Sequence, residues 1–500
     1  MEDLNKQKKL SEFGIQNYQR DGIWNEIDPV ITGLSSDTKN VRPGYIFFAI
    51  TGSKTHGANF AMSAIEKGAV IIITDSEGVQ ILQNEGIKIA IMIVSSVRQK
   101  LAEFAAQWNE IQPKTQIAIT GTNGKTSVCN YVEQIWKFFG CRAASIGTLG
   151  VQGNSCMELK HTTPEPILLH KILRNLAENQ VEYVSMEASS HGLKQCRLDG
   201  VDLKAAAFTN FSRDHLDYHA DEDEYLASKC ILFDRILPEG QIVVINMDDP
   251  YAQVVKLVSE NRGHLVVTVG SNKEADFKIC DHRYDLDGQI VKFSYLGLPQ
   301  VMQLPLIGNF QAINVLIAAA LVINLGAPYR EVFKFLPKLK SVPGRMELVG
   351  TKKSHGKVYV DYAHTPDALL NALKSLRLHT IGKLILVFGA GGERDLGKRP
   401  LMGKIAREYA DQIFITDDNP RNESPQNIRK EILKECPSAV EIPDRAEAIL
   451  ISIEKMQDGD VLLIAGKGHE TGQIIGDDIL PFNDREFVSM SLAALEGKEV

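Results

Sequence analysis

The sequence predicts an α/β protein of three domains with largely parallel sheets, and three observations lead there. Strand-length apolar runs alternate with helix-like segments along the chain. Five hundred residues exceed what one hydrophobic core usually organises. A glycine-bearing turn of phosphate-loop type begins only at residue 120, so a separate unit precedes it. The runs "YIFFAI", "AVIIIT", "IAIMIV", "QIAIT", "VEYVSME", "AAAFTNF", "GQIVVIN", "HLVVTVG", "KLILVFG", "DQIFITDD" and "DVLLIAG" are apolar on both faces. Strands of a parallel sheet covered by helices on two sides read this way. The first unit is expected to end near Ser95. Pro343 and Gly344 in "LKSVPGRMELV" interrupt the periodicity and mark a second boundary. The expected domains are 1–95, 96–341 and 342–500.

Composition narrows the function. A formal charge of −8 argues against a nucleic-acid partner, whose binding face is usually basic. Anionic small molecules stay open, since they need only local positive charge. The seven cysteines are scattered, without a C-x-x-C pair, which suits reduced thiols better than a disulfide frame or zinc site. The opening "MEDLNKQKKLSEFG" has no apolar signal core, and no run approaches the roughly 18 apolar residues of a membrane helix. A cytoplasmic protein with no membrane partner is expected.

Between the strand "QIAIT" and the helix-like "SVCNYVEQIWKFF" stand Gly121, Thr122, Asn123, Gly124, Lys125, Thr126 and Ser127. The common spacing G-x-x-x-x-G-K-[ST] fails, because Ile119 occupies the first glycine position. The chemistry is nevertheless present: glycines let backbone N–H groups approach phosphate oxygens, a lysine neutralises charge, and a hydroxyl ligates Mg²⁺. All three stand at a helix N-terminus, whose dipole favours anions. An ordinary strand-to-helix turn does not explain G-K-T-S, so a tighter variant of the phosphate loop is expected.

Glu187 ends the strand "VEYVSME", where it can hold Mg²⁺ beside Thr126, because ligands gather at the carboxyl ends of parallel strands. "FTNFSRDHLDYHADEDEYLASKC" then supplies Asn210, Asp214, His215, Asp217, His219 and Lys229. His215 and His219 have zinc-like spacing, but Leu216 stands where H-E-x-x-H needs glutamate. Three later strands end in polar loops, "GAGGERDLGKRP", "DDNPRNE" and "GKGHETGQ". Their ends should line one crevice in which Arg394, Asp418, Asn419, Arg421 and Glu470 meet. Arginine's planar fork suits a carboxylate and acidic groups suit an ammonium, so a zwitterionic amino acid is a reasonable ligand.

"TGTNGKTS" resembles the ATP loop of the Mur ligase family, which also includes folylpolyglutamate synthetases. "FTNFSRDHLDYH" with "YLASKCILF", "IGNFQAINVLIAAA", "PGRMELV" and "VYVDYAHTPDAL" resemble further motifs of that family, and the likeness runs from about residue 30 to 485. It implies a central P-loop-type ATPase domain, a Rossmann-like C-terminal domain and an N-terminal UDP-sugar domain. It also implies an ATP-dependent ligase in which a carboxylate becomes an acyl phosphate that an amine then attacks. By this resemblance Lys125, Glu187, His215 and Lys229 are catalytic. Lys229, as a carbamate, joins Thr126, Glu187 and His215 around Mg²⁺, since a lysine cation cannot be a ligand. Asn309, Arg345, Asp361 and His364 join residues 121–127 at the nucleotide, with Arg345 at a hinge that implies domain motion.

Within the family, "DNPR" resembles the signature of members that add meso-diaminopimelate to UDP-N-acetylmuramoyl-L-Ala-D-Glu in cytoplasmic peptidoglycan synthesis, hence in cell-wall biogenesis, cell shape and division. Lysine-adding members lack that arginine, and a distal carboxylate gives Arg421 a partner that lysine does not offer. Arg394, Asp418, Asn419, Pro420, Arg421, Gly466 and Glu470 are the implied amino-acid contacts. Thr162, Thr163, Ser189, Gln195 and Arg197 are the implied contacts to the muramoyl-dipeptide. Ser36, Thr38, Ser53, Lys54 and Thr55 fall in the uridine-type segment, which departs from the family's Asp-Ser-Arg by having Asp37, Thr38 and Lys39. A lysine-adding ligase and a P-loop binding protein without ligase chemistry are the alternatives, and a monomer is expected.

Overall fold

The computed structural model describes residues 6–14, 18–20, 23–25, 28–52, 54–153, 156–214, 218–285, 288–353 and 355–495. The apolar runs named above all lie in strands with a parallel partner. They divide among three sheets.

The first sheet is six-stranded and sets Tyr45–Phe48 against Ala69–Thr74 and Ala90–Ile93 in parallel. Leu10, Phe13, Ile46 and Ile71 build its core with Val97, Leu101 and Phe104. Those last three lie on the helix Val97–Asn109. The boundary expected between 95 and 96 therefore separates this helix from the core it completes. Apolar spacing marks a helix face but does not say which core that face joins.

The central sheet has ten strands. Thr115–Thr120 sits between Tyr183–Glu187 and Leu203–Phe208 in parallel register, with Glu187 opposite Ile119 and Phe208 opposite Thr120. Three carboxyl ends thus come level at the phosphate-type loop. The helix Lys125–Phe138 packs on one face with the helix Asn309–Asn324. The latter is apolar on every side from Val315 to Ile323 and wholly buried there, as an all-round apolar helix must be. Beyond the parallel part, Phe277–Asp285, Gly288–Tyr295 and Leu298–Leu304 form an antiparallel meander that the apolar-run reading did not anticipate.

The last sheet runs Glu347–Thr351, Lys357–Asp361, Val461–Ala465, Leu384–Phe388, Gln412–Ile415, Val440–Glu441, parallel after its first strand. The strand Val461–Ala465 is threaded between Lys357–Asp361 and Leu384–Phe388. Such a switch in strand order opens a crevice at the carboxyl ends. All seven cysteines are free, and among the described residues no helix is long and apolar enough to cross a membrane.

One ion pair fixes the outer layer of this domain. Arg445 begins the helix Arg445–Lys455, and Asp484 begins Asp484–Leu495. The guanidinium gives two 2.7 Å bonds to the carboxylate, and Nη2 donates to the Ala465 carbonyl at 3.0 Å. Both side chains are fully buried. Removing one partner leaves the other charge stranded, which costs about 3–5 kcal/mol. Arg445→Met is expected to lose that much stability, read as a lower urea midpoint with an unchanged slope.

Candidate active site

The central and C-terminal domains face one cleft of about 1140 Å³, lined from both of their sheets. At its floor, the loop after Thr115–Thr120 needs glycine twice. Gly121 has φ +143°, and a Cβ there meets Thr209 Oγ1 at 2.0 Å; Gly124 has φ +86° and faces Asn314 Oδ1 at 2.7 Å. Thr122 N–H donates to the Asn210 carbonyl at 2.8 Å, and Asn123 N–H donates to Asn210 Oδ1 at 2.8 Å. Asn210 thus braces the loop from the neighbouring strand end. Lys125 Nζ arches back over the loop to the carbonyls of Gly121 and Thr122, at 2.9 and 2.7 Å. Burial lowers its pKa, while Glu187 and Asp214 pull the other way.

Glu187 is nearly buried, and its oxygens accept from Thr148 N–H at 2.7 Å and Thr148 Oγ1 at 3.1 Å. Lys229 is 1% exposed. Its Nζ donates to the same Gly121 carbonyl at 2.8 Å and lies 4.2 Å from the Tyr225 ring centroid. Burial first, and the Lys125 charge second, hold its pKa well below the ordinary lysine value. His219 is buried against Ser190, with 3.0 Å between Nε2 and Oγ. It belongs to an aromatic cluster with His191, Tyr218 and Tyr225. His215 and Asp217 lie outside the described residues.

A hydroxyl and guanidinium network flanks Glu187. Thr163 Oγ1 donates to the Glu187 carbonyl at 2.8 Å and accepts from Ser189 N–H at 3.0 Å. Arg197 donates to the Thr163 carbonyl at 2.7 Å and to Gln195 Oε1 at 2.8 Å. The Thr162 hydroxyl lies 3.1 Å from that of Thr148. Thr162, Thr163, Ser189, Gln195 and Arg197 therefore form one polar wall of the cleft.

The C-terminal domain supplies the opposite wall. Arg345 Nη2 donates to Thr126 Oγ1 at 3.3 Å across the domain boundary, and its guanidinium lies 4.2 Å from the Tyr362 ring. Asp361 accepts from Met346 N–H at 2.6 Å and Ala363 N–H at 2.8 Å. Burial raises its pKa despite Arg345. His364 Nε2 stands 3.9 Å from Asp214, and burial, then Lys398, lower its pKa. Asn309 accepts from Tyr284 Oη at 2.5 Å and lines the same cleft.

Deeper in that domain, Asn419 Nδ2 donates to Glu470 Oε2 at 2.8 Å. Arg421 Nη1 donates to the Gly392 carbonyl at 2.7 Å. Burial and the neighbouring Arg394 charge both lower the Arg421 pKa. Gly466 has φ +114°, and a Cβ there meets Asp418 Oδ2 at 2.6 Å. Arg394, Asp418, Asn419, Arg421, Gly466 and Glu470 share the cleft with residues 122–127; Pro420 does not line it, its carbonyl packing where a Cβ on Gly392 would stand.

The structure keeps the first-domain residues apart from this cleft. Ser36 and Lys54 are exposed, Thr38 accepts through its carbonyl from Lys67 Nζ at 2.7 Å, and Thr55 accepts from Asn59 at 2.8 Å. Ser53 lies outside the described residues. Sequence reasoning passed over Thr148, Asp367, Lys398 and Lys467. Asp367 accepts from Asn123 Nδ2 at 3.3 Å, and Lys398 lines the cleft. Lys467 stands between two glycines at a strand end, a signal that the composition of "GKGHE" carried.

Comparison with known proteins places similar sequences along most of the chain. The model of the Mur ligase middle domain matches residues 119–322, that of the Mur ligase glutamate ligase domain 344–468, and that of the Mur ligase family catalytic domain 30–109. A UDP-N-acetylmuramoyl-L-alanyl-D-glutamate--2,6-diaminopimelate ligase of Mesorhizobium japonicum is 45% identical, over 93% of this chain and 95% of its own. One of Bradyrhizobium diazoefficiens is 44% identical, over 95% and 99%. A solved structure of a ligase of the same name is 33% identical with a TM-score of 0.70, covering 98% of this chain and all of its own.

The loop geometry gives a direct test. Gly121→Ala introduces strain of about 1–3 kcal/mol and drives Thr209 aside. A fluorescent ADP analogue is expected to bind the folded variant about tenfold more weakly or worse, measured by titration.

Proposed function

The chain belongs to the Mur ligase family, and from that premise we propose that it joins meso-2,6-diaminopimelate to the D-Glu γ-carboxylate of UDP-N-acetylmuramoyl-L-Ala-D-Glu. The reaction consumes ATP, passes through an acyl phosphate, releases ADP and phosphate, and serves peptidoglycan precursor synthesis in the cytoplasm. One observation carries the choice of amino acid: Arg394 and Arg421 stand together beside the Asn419–Glu470 pair, in the same cleft as the phosphate loop. Two guanidiniums suit a carboxylate at the far end of the amino acid, and Glu470 suits its ammonium.

The loop N–H groups and Lys125 hold the nucleotide phosphates, and Asn309, Arg345, Asp361 and His364 hold the rest of ATP. Phosphoryl transfer depends on this positioning and on charge neutralisation. Mg²⁺ fits the hard oxygen donors of Thr126 and Glu187. Among the described residues no group of three His, Cys, Asp or Glu side chains forms a metal cage, and Mg²⁺ commonly uses one or two carboxylates with substrate phosphates instead. When bound, it neutralises charge on the phosphate oxygens. Lys229, whose pKa burial holds well below the ordinary lysine value, is the residue assigned to take up CO₂, with loss of a proton, as a carbamate that would serve with His215 at a second Mg²⁺.

Thr162, Thr163, Ser189, Gln195 and Arg197 orient the muramoyl-dipeptide so that its carboxylate meets the γ-phosphate. The uridine end is assigned to Ser36, Thr38, Ser53, Lys54 and Thr55 on the first domain, whose range is best taken to about residue 110. We take a monomer as the working unit.

Phosphate release from ATP in the presence of UDP-N-acetylmuramoyl-L-Ala-D-Glu tests the reading. Release is expected with meso-diaminopimelate and not with L-lysine; release with lysine alone rejects the assignment of Arg421. Arg421→Ala should raise the KM for meso-diaminopimelate about thirtyfold or more, for a buried charge pair worth about 2 kcal/mol or more. Lys229→Ala should lower kcat by about a hundredfold or more, as loss of charge stabilisation at a phosphoryl centre does. A short-chain carboxylic acid should restore part of that activity, and no rescue counts against the carbamate.

A further inference from the structure

Lys467 is fully buried, directly after the strand Val461–Ala465 and Gly466. A buried ammonium is tolerated only when its protons are placed, and each finds an acceptor. Nζ donates to Asn419 Oδ1 at 3.0 Å, to Glu470 Oε2 at 3.1 Å and to the Gly472 carbonyl at 2.6 Å.

These bonds decide how the neighbouring groups are presented. Asn419 Oδ1 also accepts from Ile474 N–H at 3.0 Å. With two donors on its oxygen, the amide has a single orientation, which turns Nδ2 toward Glu470. Glu470 Oε2 then carries two donors, and Oε1 takes no part in this network. The third bond reaches the hairpin Gly472–Ile475 and Asp478–Pro481. That hairpin grips Arg421 by its backbone: Arg421 N–H donates to the Ile474 carbonyl at 3.1 Å, and Gly476 N–H donates to the Arg421 carbonyl at 2.8 Å. Arg421 is held there at φ +53°.

We propose that Lys467 is a positioning residue that sets amino-acid selectivity, by fixing the ammonium-accepting Glu470 and the carboxylate-binding Arg421 in one spacing. It does not line the cleft and touches no substrate; it acts through Asn419, Glu470 and the hairpin. The inference rests on the diaminopimelate reading above. Without the ammonium, the Asn419 amide keeps only the Ile474 donor on its oxygen, Glu470 loses one of its two donors, and the hairpin loses the bond from Lys467 to Gly472. A ligand whose distal end carries both a carboxylate and an ammonium should then lose more than one whose distal end carries an ammonium alone.

The test is steady-state phosphate release by the purified full chain, comparing wild type with Lys467→Met. In the variant, the KM for meso-diaminopimelate should rise at least about tenfold, and the kcat/KM preference over L-lysine should fall by a similar factor. The KM values for ATP and UDP-N-acetylmuramoyl-L-Ala-D-Glu should stay within about twofold. Equal loss toward all three substrates, or an unchanged preference, overturns the proposal. If Lys467→Met does not fold, Lys467→Gln carries the same measurement, and failure of both to fold makes the residue structural and also overturns it. Wild type that uses L-lysine but not meso-diaminopimelate overturns the function reading instead.

Discussion

Two lysines share one carbonyl. Lys125 and Lys229 both donate to the Gly121 oxygen, at 2.9 and 2.8 Å. Two ammonium charges at such a spacing in a buried place repel, and each is opposed by desolvation. The conflict is resolved unequally. Lys125 has Glu187 and Asp214 in its favour and lies at the cleft, where phosphate charge belongs. Lys229 has the deeper burial and the Lys125 charge against it, and its pKa is held well below the ordinary lysine value. One carbonyl thereby gathers both lysines, and the backbone that presents it, at φ +143° with a Cβ position filled by Thr209, is open only to glycine.

The links across the cleft are of a different kind. Arg345 to Thr126, Asn123 to Asp367, Arg213 to Asp395 and His364 facing Asp214 join the central and C-terminal domains. None is short and fully buried, and partly exposed pairs of this type contribute about 0–1 kcal/mol each. By contrast, Arg445–Asp484 inside the C-terminal domain is sealed from water. Apolar contact also crosses the boundary: Ile307 and Phe310 pack into the C-terminal core, and buried His379 lies 2.6 Å from the Asp285 carbonyl.

How much of this was legible in the sequence follows from what each signal measures. Both-face apolar runs mark buried parallel strands wherever they occur, and the strands at 69–74, 115–120 and 384–388 were plain. The meander at 277–304 was not, because half of its residues face solvent and its alternation is interrupted by charged positions such as Asp281, Arg283 and Lys292. Glycines with an obligatory left-handed or crowded backbone, Gly121 and Gly124, announced the loop. Lys467 was overlooked because its role lies in a buried bond pattern, and residue type alone cannot separate a buried lysine from a solvated one. The helix 97–109 shows the same limit, since its apolar face fits either adjoining core.

The arrangement also explains why peptide-bond chemistry belongs at the junction. Each sheet brings its strand ends to the cleft from opposite sides, so phosphate-binding groups gather on one wall and groups for an amino acid on the other. An amine that approaches from the Glu470 side reaches a carboxylate activated on the Glu187 side only when the walls face each other. Selectivity then need not be built into the phosphate loop at all. On the proposed reading it resides in the spacing between Glu470 and Arg421, with the buried Lys467 bonded to the first and the hairpin holding the second at φ +53°. Such strain persists only where surrounding bonds over-determine it, and here the hairpin supplies them.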